Sequence, residues 1–77
     1  MLEDKLAKKV NSMTKEEIKR ELCKIVKDKN FSAVWTETLN ILYSRAYCQL
    51  LNIDYLSINS DDFKKAEVYA YYKRRQE

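Results

Sequence analysis

Apolar positions recur at helical spacing along almost the whole chain. Leu2, Leu6 and Val10 stand at i, i+4 and i+8, which predicts a first helix over about residues 2–10. The polar run NSMT then interrupts it. Thr14 with Glu17 has the form of a capping box: the hydroxyl accepts from an orphan amide and the glutamate reaches back to the cap. From there Ile18, Leu22, Ile25 and Val26 form one apolar stripe, predicting a second helix over 15–29 with Asn30 as its left-handed terminator.

Ser32 is placed to cap a third helix, 33–52, whose only ionised side chains are Glu37 and Arg45. On a helical wheel Trp35, Leu39, Leu42, Tyr43, Ala46, Tyr47, Leu50 and Ile53 share an arc wider than one neighbour needs. The pattern therefore makes this the long central helix. On its other side Val34, Ile41 and Cys48 recur seven apart, with Arg45 beside them. That line reads either as covered by another helix of the chain or as the seam of a homodimer.

NIDYLSINSDD is the longest break, and its Tyr55, Leu56 and Ile58 are expected to tuck under the helices. Asn59 or Ser60 caps a last helix over 61–75. Asp61 and Asp62 suit its positive end, and Lys73, Arg74 and Arg75 its negative end. No strand alternation is convincing. The expectation is an all-α fold, a small single-domain bundle of about four helices spanning residues 1–77.

Composition narrows this picture. The 77 residues contain neither glycine nor proline, so tight turns with positive φ fall to Asn and Asp, and hairpins become improbable. A domain of this size buries only about 60% of its unfolded surface, so a partner can contribute substantially to its stability. The 15 Lys and Arg against 12 Asp and Glu give a net charge of +3. That is too small an excess for a protein that coats DNA and the wrong sign for a nucleic-acid mimic. Lysine far exceeds arginine, and Asn, Ile and Tyr are frequent, which suits a phage or mobile-element accessory protein of a low-GC bacterium. Met1 leads straight into LEDKLAKK and no apolar run approaches the length of a membrane span, so a cytoplasmic setting with reduced thiols is expected.

Candidate chemistry is sparse. With no histidine, Cys23 and Cys48 cannot complete a four-ligand zinc site, and neither has the base that a thiol nucleophile requires. There is no glycine-rich phosphate loop, and adjacent Asp61 and Asp62 point in different directions. No catalytic residue, cofactor or metal is expected. The first 30 residues hold nine cations against six acids; Lys5, Lys8, Lys9, Lys15, Lys19, Arg20, Lys24 and Lys27 are spread around two helices. This reads first as a solvated surface, second as a means of steering a partner.

The feature that remains is AEVYAYYKRRQE. Phe63, Ala66, Tyr69 and Ala70 gather on one face of the last helix and read as its docking side. Val68, Tyr71 and Tyr72 point the other way, beside Lys64, Lys65, Arg74 and Arg75. An exposed aromatic–basic face of this kind anchors protein interfaces, and it also stacks on bases while its cations hold phosphates. SAVWTETL offers few groove-reading side chains at the start of the third helix, so a helix-turn-helix reader is disfavoured. The favoured expectation is a non-enzymatic adaptor, inhibitor or regulatory protein that docks this face on an acidic protein patch. The alternative is a nucleic-acid binder contacting the backbone through the same face, as a homodimer.

Overall fold

The computed structural model describes residues 2–27 and 37–76. Among them are four α-helices: α1 (Leu2–Asn11), α2 (Lys15–Lys27), α3 (Glu37–Leu50) and α4 (Ser60–Arg75). A short 3-10 turn, Tyr55–Ser57, lies between α3 and α4. The chain forms a small all-α bundle. The expected terminators and caps at Asn30 and Ser32, with Val34 and Trp35, lie outside the described residues.

Local chemistry sets each boundary. Ser12 Oγ donates to the Lys9 carbonyl at 2.9 Å as α1 ends. The capping box at α2 forms in both directions: the Thr14 amide donates to Glu17 Oε1 at 3.1 Å, and the Glu17 amide donates to Thr14 Oγ1 at 3.2 Å. These bonds favour the ionised carboxylate, so the Glu17 pKa lies below its ordinary value.

α3 stops at Asn52, the one described residue with positive φ, at 57°. The Ile53 amide donates to the Cys48 carbonyl at 2.8 Å, and the Asn52 amide to Gln49 at 3.4 Å. This is the Schellman arrangement, with asparagine standing where glycine is usual. Asp54 then organises the 3-10 turn, accepting from the Leu56 amide at 3.1 Å and the Ser57 hydroxyl at 2.9 Å. Asn59, rather than Ser60, caps α4: its Oδ1 accepts from the Asp62 amide at 2.8 Å, and its Nδ2 donates to Asp62 Oδ2 at 2.9 Å.

The core has its centre in the last helix. Among the described residues α4 packs against α3 most extensively, then against α2 and α1. Its buried residues, Ala66, Val68, Tyr69, Ala70 and Tyr71, point around most of the helix circumference. A helix surrounded in this way has no single wet side. Ala7 and Val10 of α1, Ile18 and Ile25 of α2, and Tyr47 and Cys48 of α3 close around it.

Exposure departs from the sequence pattern in two places. Leu42 and Leu50, expected within the buried arc of α3, are exposed, so that helix does not bury its whole apolar arc. Leu56 is 88% exposed, because the Asp54-capped turn points it outward, while Tyr55 and Ile58 pack against the core as expected.

Candidate functional site

Burial separates the sequence-expected binding residues into three groups. Val68 is 0% and Tyr71 4% exposed, so both belong to the core and not to a surface. The correction has a physical cause: with neighbours on three sides, α4 buries the positions that a two-faced wheel assigns to solvent. Tyr72, Lys65 and Arg74 are half-buried, and Lys64 and Arg75 are exposed. Phe63, expected on the docking side, is exposed instead.

The two tyrosines are occupied by the protein itself. The rings of Tyr71 and Tyr72 lie 6.0 Å apart at an interplanar angle of 62°. Arg75 Nη1 donates to the Tyr71 hydroxyl at 2.9 Å, and its guanidinium stands 5.3 Å from the same ring. Lys9 of α1 lies 5.6 Å from the Tyr72 ring. Burial, reinforced by a hydrogen bond to the Glu21 carboxylate, pushes the Tyr72 hydroxyl up to about 12. Around Tyr72 a recess of about 230 Å³ is lined by Lys9 and Arg20 on one side of the charge balance and Glu17 and Glu21 on the other. It has no dominant sign.

The proposed seam on α3 divides in the same way. Cys48 is 1% exposed and Ile41 half-buried, while Arg45 is exposed and lies 5.3 Å from the Tyr55 ring. Cys48 is therefore a core residue whose thiol pKa is pushed up by desolvation, with Asp62 and Asp54 adding to the shift. Val34 lies outside the described residues.

A different constellation forms where the start of α2 lies along the start of α4. Four lysines converge on one cleft of about 450 Å³: Lys15 and Lys19 from α2, Lys64 and Lys65 from α4. The floor is apolar, built from Met13, Ile18 and Leu22, and among the described residues Asp61 is the single acid in the lining. Lys65 also donates to the Asn11 carbonyl at 3.2 Å, which places its cation at the negative end of α1 and fixes one wall. All four lysines stand out in the sequence, but on two surfaces that its pattern leaves unrelated. Their proximity comes from tertiary packing, and no window of the sequence contains it.

Beyond Leu22 the cleft opens into a shallower apolar surface formed by Leu22, Cys23 and Val26, edged by Lys19 and Lys27. Among the described residues no cluster of three or more His, Cys, Asp or Glu side chains is arranged to hold a metal ion. None of the described helices is long and apolar enough to cross a membrane. Comparison of the chain with protein-family models, with curated proteins and with solved structures finds no match.

Proposed function

We propose that this protein is a non-enzymatic binding module, an adaptor or inhibitor, that engages an acidic segment of another protein. The observation that carries the reading is the α2–α4 cleft, where Lys15, Lys19, Lys64 and Lys65 surround an apolar floor, with Asp61 the one carboxylate among the described lining residues. Cations around an apolar floor give charge complementarity at the rim and desolvated contact at the centre, which is the anatomy of a protein interface. The contact surface thus includes Lys64 and Lys65 of the expected face but moves from the tyrosines to α2.

Nucleic-acid binding is less well supported by the same geometry. Stacking on bases through the expected face needs its two tyrosines, whereas Tyr71 is buried and Tyr72 is packed beneath Lys9. Among the described residues no aromatic side chain lines the lysine cleft.

Selection from a random peptide display library tests the reading. The wild-type protein is expected to enrich sequences rich in Asp and Glu, and the Lys15→Glu/Lys64→Glu variant is expected not to. Enrichment without acidic bias, or equal enrichment by both proteins, overturns it. So does retention of a single-stranded oligonucleotide in preference to every selected peptide.

A further inference from the structure

The cleft floor has a direction and a period that specify the shape of what it binds. Ile18, Leu22 and Val26 follow one another at i, i+4 and i+8 along α2. Ile18 is buried, Leu22 half-buried, and Val26 is 81% exposed, so the stripe emerges gradually from the core onto the surface. At 1.5 Å per residue it extends roughly 12 Å, slightly more than two helical turns. Lys15 and Lys19 precede Ile18 and Leu22 by three positions and so flank the stripe along α2. Lys64 and Lys65 supply the opposite rim from α4.

Resting on the reading above, we propose that the occupant is an amphipathic acidic α-helix of a partner protein, laid along the Ile18–Leu22–Val26 stripe. Its apolar residues, themselves at i and i+4, seat on the stripe, and carboxylates on both of its flanks meet the two lysine rims. A helix in a helix-lined groove matches ridge spacing with ridge spacing. An extended peptide gains affinity chiefly by adding a strand to a sheet edge, and the described residues contain no strand to extend. The two rims also define how charge must be distributed: a segment with acids on one flank only satisfies either the α2 lysines or the α4 lysines.

The test uses a fluorescently labelled synthetic helix of about four turns. It carries leucines at i, i+4 and i+8 with glutamates on both flanks, and anisotropy is read with the full chain. Saturable binding that weakens with added salt is expected. Replacing all glutamates by glutamine, the leucines by serine, or one central residue by proline is expected to weaken binding about tenfold or more in each case. Lys19→Glu/Lys64→Glu is expected to abolish binding while the circular dichroism stays that of the folded protein, since both side chains are exposed. If the proline peptide binds as tightly as the parent, the helical occupant is wrong while the acidic-partner reading stands. If no glutamate-bearing peptide binds in either helical or proline form, both fall.

Discussion

The rings of Tyr47 on α3 and Tyr69 on α4 meet at 5.4 Å with an interplanar angle of 46°, and both side chains are fully buried. They join the two helices that pack most extensively, so the pair is the mechanical centre of the bundle. Truncating a buried aromatic costs about 3–5 kcal/mol, comparable to the whole stability of a domain this small. Tyr69→Ala is expected to leave the protein largely unfolded at 25 °C by circular dichroism. Tyr47→Phe is expected to be mild, because its hydroxyl reaches Asn11 Oδ1 only at 3.5 Å. Burial, with Asp62 and then Cys48 adding to it, pushes that hydroxyl from 10.0 to about 12. Between those values the folded state keeps a proton that the unfolded chain has lost, so stability falls as pH rises. Tyr47→Phe is expected to flatten that alkaline fall in a urea-midpoint series.

Ser44 gives the opposite kind of prediction. It is buried on α3, and its hydroxyl has no hydrogen-bond partner among the described residues. A buried hydroxyl without a partner costs stability, and alanine is also the better helix former. Ser44→Ala is expected to stabilise the protein by about 1 kcal/mol, raising Tm by roughly 4–8 °C. An unchanged or lower Tm would show that the hydroxyl is satisfied in solution.

The starts of α2 and α4 were legible in the sequence because capping is local chemistry. Thr14 with Glu17, and Asn59 before the acidic turn, need only their neighbours within a few residues. Without glycine a left-handed turn falls to asparagine, and Asn52, expected as the last residue of its helix, takes that position. The identity of the central helix was not legible. α4 carries lysines, arginines and tyrosines, and its polar tips disguise how many of its stems lie inside. α3 has few charges, yet Leu42 and Leu50 remain exposed, since low polarity does not by itself bring a neighbour. The lysine cleft was the least legible feature, because Lys15 and Lys64 become neighbours only through the packing of α2 on α4.

Two glutamates should give the acid side of the stability curve opposite slopes. Glu17 has its carboxyl pKa lowered below 4.5, first by the hydrogen bond with the Thr14 backbone and then by the Thr14 hydroxyl. Its contribution is present above the ordinary carboxylate value and is lost as pH falls through the lowered one. Glu67 on α4 is raised above 4.5, chiefly by desolvation, with Lys64 partly offsetting the shift. In the window above 4.5 the folded state holds the extra proton, so this group costs stability as pH rises. Glu67→Gln is expected to raise Tm at pH 7 and to change it less at pH 4. Thr14→Ala should cost about 1 kcal/mol at pH 7 and a smaller amount in acid, where Glu17 is protonated. A pH-independent effect of Glu67→Gln would show that its carboxyl is solvated.

The two thiols should react on different clocks. Cys23 is exposed on α2, whereas Cys48 is buried in α3 and its thiol is pushed up by desolvation. The thiolate is the reactive form, so burial slows Cys48 twice, by access and by ionisation. A chromogenic thiol reagent under native conditions should therefore label one cysteine within the mixing time. The second should follow only at the rate at which the core opens. Cys23→Ser removes the fast phase alone, and the remaining slow phase should accelerate with urea in proportion to the unfolded population. If Cys48 reacts as fast as Cys23, α3 does not dock on α4 as described. A fast Cys48 would also restore the Ile41–Cys48 face as a surface open to a second copy of the chain.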